Sequence, residues 1–260
     1  MTKLHRILAA LGIALATSAY AVDMPELKIG LDPTFEPFEY KLPDGTLTGF
    51  EVDLAKVICT EVKMKCVFVE QAWGGIIPSL MAKKFDVIFS SMSVTDERKK
   101  VVLFSDKYSV AMNRMAAKRG SSIDGSVASL VGKRIGVGKA STQEAYARKH
   151  YEKAGATVVA YPSTQESYLD LEAGRLDAVI ANVLELKKGL LEKPEGKNFQ
   201  YVGPTALEDE AVFGIGSGIA LRKDDTALRD KLNAAIKAVR VNGEYKKVND
   251  KYFDFDTSGN

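Results

Sequence analysis

Three short polar segments carry the residue types from which a small-molecule site is built. Residues 90–98 (SSMSVTDER) follow an apolar run and enter a polar helix start. Ser90, Ser91 and Ser93 supply hydroxyls and free backbone N–H groups there, which favours a carboxylate. Arg98 adds a guanidinium able to clamp that carboxylate through two charge-assisted hydrogen bonds. Residues 136–144 (GVGKASTQE) form a second helix start, in which Ser141 and Glu144 make a capping box. Gly138, Ser141, Thr142 and Gln143 then present backbone and hydroxyl groups to an anion. The same stretch imitates a dinucleotide fingerprint, but Ser141 stands at its third glycine and no acid ends the next strand. Residues 32–38 (DPTFEPF) set the Asp32 carboxylate beside the Phe35 ring, which suits a cation with a flat face. Trp73, the single tryptophan, lies in the loop-like stretch 71–75. Each segment also has a plain structural reading: capping with a surface arginine, a proline-bounded turn, a core tryptophan.

Motifs for bond-making chemistry are missing. The chain has no G-x-S-x-G, no H-E-x-x-H and no Cys–His pair. That weakens an enzymatic reading without removing it, since carboxylates alone can catalyse. Two cysteines, Cys59 and Cys66, with few histidines, are too few ligands for zinc, and no cofactor or metal is called for.

Of 260 residues, 46% are hydrophobic and 27% charged, which argues against disorder or a polytopic membrane protein. Lys3, His5 and Arg6 precede a nearly unbroken apolar run from Ile7 to Ala16 and an A-x-A site at Ala19-Tyr20-Ala21. This reads as a signal peptide over residues 1–21, cleaved after Ala21. Lys3 and Arg6 leave with it, and the 36 basic against 34 acidic side chains become balanced. A neutral balance carries no electrostatic footprint for nucleic acid or anionic lipid. No later stretch is long and apolar enough to span a bilayer, so an exported, soluble protein is expected. Export permits a disulfide, and Cys59 late in a helical pattern with Cys66 opening a strand makes a short staple feasible.

These segments must be held by regular elements. Strands are predicted over 27–31, 66–69, 85–89, 134–137, 157–159 and 177–180, with helices over 76–82, 141–154 and 163–173 between them. Phe50, Leu54, Val57 and Ile58 recur at helical spacing, as do Leu228, Leu232, Ile236 and Val239 before an Asn242-Gly243 stop. Two β-α-β-α-β units follow one another, each implying a parallel sheet with helices on its faces. Their ends echo each other, LMAKKFDVI at 80–88 beside LEAGRLDAVI at 171–180. Extended crossings near 108–115 and 213–221 suggest two lobes with a cleft, into which the carboxyl ends of the strands point.

Taken together, residues 29–38 (IGLDPTFEPF), 49–55 (GFEVDLA), 77–80 (IPSL), 90–98, 171–178 (LEAGRLDA) and 251–256 (KYFDFD) resemble the periplasmic solute-binding proteins of polar amino-acid ABC importers. The resemblance spans nearly the whole chain after the leader and is close to lysine/arginine/ornithine- and histidine-binding proteins. It implies a type II periplasmic binding protein fold: two α/β lobes, 22–110 plus 216–260 and 111–215, joined by two hinge strands. It also implies a Cys59–Cys66 disulfide, a monomer, and a membrane permease as partner. The ligand's α-carboxylate would meet Arg98, with Ser91 and the 141–143 segment assisting and Ser90 and Ser93 lending hydroxyl or backbone groups. Phe35 matches a family tyrosine that stacks on the ligand, Asp32 an acid that pairs with a cationic side-chain end. Trp73 would complete an aromatic sandwich. Asn182 aligns with the family's usual acid for the α-ammonium and carries no charge. Residues 71–80 (QAWGGIIPSL) are similar to the opine-binding branch, whose N-carboxyalkylated ligands offer a secondary amine instead. The expected function is capture of a cationic amino acid; an octopine-like opine is the alternative, and a periplasmic enzyme such as a cyclohexadienyl dehydratase a further one.

Overall fold

The computed structural model describes residues 24–110 and 112–259, so the expected leader, 1–21, lies outside the described residues. Two five-stranded sheets of the same topology organise the chain. The first runs Lys65–Glu70, Glu26–Leu31, Val87–Ile88, Ser217–Leu221, Leu103–Ser109. Its first three strands are parallel, with Ile29 opposite both Phe68 and Val87. The second runs Thr157–Tyr161, Arg134–Gly138, Ala178–Asn182, Asn113–Lys118, Phe199–Val202, again with three parallel strands first. Each sheet's fourth strand is antiparallel to its neighbours. That strand is laid down just after the chain crosses from the other sheet, so two backbone crossings tie the lobes together.

The parallel strands read as apolar runs because helices cover both faces. Leu27, Ile29 and Leu31 are 1–2% exposed, and Ala178 to Ile180 are fully buried. The helix Thr226–Val241 lays Leu232, Ile236 and Val239 on the first sheet, as their spacing predicts. Phe50 opens the helix Phe50–Glu61 at zero exposure and is enclosed by Phe38, Tyr245, Tyr252 and Phe253, with centroids 5.1–6.4 Å away. These rings bind the C-terminal residues to the first lobe. Cys59 and Cys66 are joined in a disulfide with Cα atoms 5.8 Å apart, stapling this helix to the strand beside it.

Two expectations shift. The helix expected over 141–154 ends at His150, and Glu152–Ala154 is a separate 3₁₀ turn closed by Gly155 at φ 103°. The strand expected over 85–89 pairs only at Val87–Ile88. Among the described residues no helix is long and apolar enough to cross a membrane.

Replacing Phe50 by Ala removes the ring that four aromatics surround. The expected cost is about 3–5 kcal/mol, read as a lowered urea midpoint. An unchanged midpoint would show that the C-terminal segment is held by other contacts.

Candidate ligand-binding site

The carboxyl ends of the parallel strands of both sheets face one another, and their loops enclose a single cleft. From the first lobe, Asp32, Phe35, Trp73, Ser90, Ser91, Ser93 and Arg98 line it. From the second come Gly138, Ser141, Thr142 and Gln143. Every residue singled out in the sequence reaches this wall except Asn182. The lobes touch across the opening: Trp73 Nε1 donates to the Ala140 carbonyl at 3.2 Å and Gln165 Nε2 to the Thr34 carbonyl at 2.9 Å.

One end of the cleft is cationic. Thr95 caps the short helix Asp96–Lys99 by accepting from the Arg98 N–H. That cap holds the Arg98 side chain against the 5.2 Å-distant Trp73 ring. Its guanidinium donates to two backbone carbonyls, Ser93 at 3.2 Å and Ala140, in the other lobe, at 3.5 Å. Burial pulls its pKa down to about 10, and no carboxylate among the described residues is near enough to oppose the fall. Across from it, Ser141 caps the helix Thr142–His150 by accepting from the Glu144 N–H. The first-turn N–H groups of such a helix have no partner within it and favour negative charge.

The other end is acidic. Asp32, 7% exposed, is fixed by three donors: Trp73 N–H at 2.7 Å, Thr34 N–H at 3.2 Å and the Thr34 hydroxyl at 2.8 Å. Behind it, the Asp32 N–H donates to Ser90 Oγ, whose hydroxyl donates to Glu39 at 2.6 Å. Glu39 is fully buried and also lines the cleft. Burial, with the neighbouring Glu51 charge adding to it, raises its carboxyl well above the ordinary range.

Two sequence assignments need correction. Ser91 lines the cleft, but its N–H and hydroxyl both donate to Glu51 at 2.7 Å, so they are not free for an anion. Ser91 also holds a left-handed φ of 45°, a strain its two bonds to Glu51 sustain. Asn182 is buried and is not among the residues lining the cleft, and its Oδ1 accepts from the Leu184 N–H at 2.8 Å, capping the next helical turn. Sequence reasoning missed Thr34, Glu39, Lys139, Pro162, Ser163, Thr164 and Glu185. Ser163 and Thr164 follow a predicted strand and open a predicted helix, so the rule that found Ser141 applies to them too. Glu185 had no comparable signal.

The model of the bacterial extracellular solute-binding proteins, family 3, matches residues 27–255. The chain belongs to this family. The solute-binding protein is 46% identical over 254 residues to an L-arginine-binding protein of Pseudomonas aeruginosa, covering 97% of each chain. It is 34% identical to an octopine-binding periplasmic protein of Rhizobium meliloti, covering 98% of this chain and 99% of that one. Among solved structures, an ancestral arginine-binding protein bound to arginine superposes with a TM-score of 0.82 at 35% identity, covering 89% and 99% of the two chains.

The raised Glu39 carboxyl has a sign that can be checked. It stays protonated in the fold at pH values where the unfolded chain has released its proton. Its stabilising contribution is therefore full below the ordinary carboxylate range and lost as pH rises through the folded pKa. Glu39→Gln is expected to flatten the fall in Tm from about pH 5 upward. Parallel profiles for the two proteins would place the proton elsewhere.

Proposed function

We propose that this protein is the periplasmic substrate-binding component of an ABC importer for a cationic amino acid of the arginine, ornithine, lysine and histidine class. The observation that carries the reading is the division of charge in the cleft. Among the described residues, Arg98 stands at one end without an anionic partner, and Asp32 stands at the other, held in place but unpaired with any base. A molecule with a carboxylate at one end and a cation at the other satisfies both. Phe35 and Trp73 lie between as apolar walls for its aliphatic or planar part. Lobes of 22–110 plus 216–260 and 111–215, hinged at the two crossings, would close on the ligand and present the closed form to a membrane permease. Export with removal of residues 1–21 places this work in the periplasm, and a monomer suffices for it.

The work so described is binding and a hinge transition, with no bond made or broken. Two relatives support arginine as the leading ligand, since one is named for arginine and the aligned structure holds it. The opine reading draws its support from the uncharged Asn182 and from the octopine-binding relative. The enzyme reading, a cyclohexadienyl dehydratase, is tested by product formation from prephenate, which is expected to be nil.

Arg98→Ala is expected to weaken arginine binding by about 100-fold or more, as for a lost buried charge pair. Unchanged affinity in a calorimetric titration would remove Arg98 from the site. Asp32→Asn is expected to weaken arginine far more than glutamine, and equal losses would place the cation partner elsewhere.

A further inference from the structure

Glu185 is an acid that the site described above leaves unused. It follows the strand Ala178–Asn182 in the turn Val183–Leu186, is 3% exposed, and lines the cleft. Its Oε1 is buried without a hydrogen-bond partner. The polar groups that face it are the Thr164 hydroxyl, the Asp32 carboxylate from the opposite lobe and the Tyr168 phenol. No cation is among them. A buried carboxyl left in this state is unfavourable unless something that enters the cleft compensates it.

The count of charges says what that compensation is. An amino acid with a basic side chain brings one negative and two positive centres. Arg98 answers the first and Asp32 one of the others. Glu185 faces Asp32, so the two acids stand together at the end of the cleft that takes the side-chain cation. We propose that Glu185 is the second anionic contact of the cleft, sharing the ligand's side-chain cation with Asp32, and that the pair thereby selects amino acids whose side chain is positively charged. This rests on the amino-acid reading given above and narrows it. Burial, opposed by Thr164 and reinforced by Asp32, pushes the Glu185 carboxyl up to about 8. With the lobes in contact and no cation beside it, it therefore holds its proton at neutral pH. A cation brought beside it favours the ionised form and expels the proton. Glutamine, whose side-chain end carries no charge, leaves the proton in place.

Isothermal titration of arginine into the refolded, ligand-stripped protein near pH 7, in two buffers of different ionisation enthalpy, counts protons directly. About one proton is expected to leave per arginine bound and close to none per glutamine. In Glu185→Gln the release is expected to vanish and arginine affinity to fall by about tenfold or more, with glutamine changed little. Arginine binding to the wild type without proton release, release that persists in Glu185→Gln, or undiminished arginine affinity in that variant would each overturn the assignment. The wild-type proton count stands even if the variant fails to fold. Failure of the wild type to bind any basic amino acid, or full affinity in Arg98→Ala, would instead overturn the reading of the cleft on which this assignment rests.

Discussion

The structure turns on a guanidinium held inside a protein with no carboxylate beside it among the described residues. A charge removed from water is costly unless it is paired and hydrogen-bonded. Among the described residues, the Arg98 guanidinium donates to two carbonyl oxygens, one from each lobe, and lies against the Trp73 ring. On the function proposed above, the fold keeps it there for an anion that comes from outside, and the rest of the architecture follows from presenting that charge and then covering it. Two separate sheets put strand ends on both sides of the anion. Two crossings tie those ends together. The contacts from Trp73 to Ala140 and from Gln165 to Thr34 give the closed arrangement its own modest support.

The acidic end is supported from behind in the same spirit. The hydroxyl of Tyr108 donates to Glu51 at 2.5 Å, and Glu51 holds Ser91 while Glu39 holds Ser90. Tyr108 lies near the end of the strand Leu103–Ser109, next to the first crossing. Its carbonyl accepts from the Tyr245 hydroxyl at 2.8 Å, and the Val110 N–H donates to the Thr257 carbonyl at 2.8 Å. The C-terminal residues therefore brace the crossing, and the crossing is wired through buried carboxyls to the serines of the cleft wall. A buried polar network of this kind holds geometry when each member is satisfied. Glu39 leaves one oxygen unpartnered, consistent with the proton it retains.

What the sequence made legible were features whose signal is local. A strand followed by a helix start locates Asp32, the serines, Arg98 and Ser141, because capping chemistry and hydrophobic periodicity lie within a few residues of each other. The repeated unit and the two crossings gave the two-lobed plan by the same logic. The structure adds what depends on partners distant in the chain. Glu39 meets Ser90 across 51 residues, and Ser91 loses its donors to Glu51 across 40. Asn182 aligned as a ligand contact, yet a cap two residues ahead claims its oxygen. Glu185 hides in the run 183–191 (VLELKKGLL), where periodicity reads only helix. Its importance comes from the cleft it faces, which no short window of sequence can display.

The role of Arg98 is tested most directly by comparing arginine with agmatine, which differs from it only in lacking the carboxylate. Calorimetric titration of both into the ligand-stripped protein isolates the one group that the guanidinium is held for. If the ligand's carboxylate is what answers Arg98, agmatine binds more weakly by about 100-fold or more. If agmatine binds as tightly as arginine, the buried guanidinium serves some other anion and the orientation assigned to the ligand is wrong.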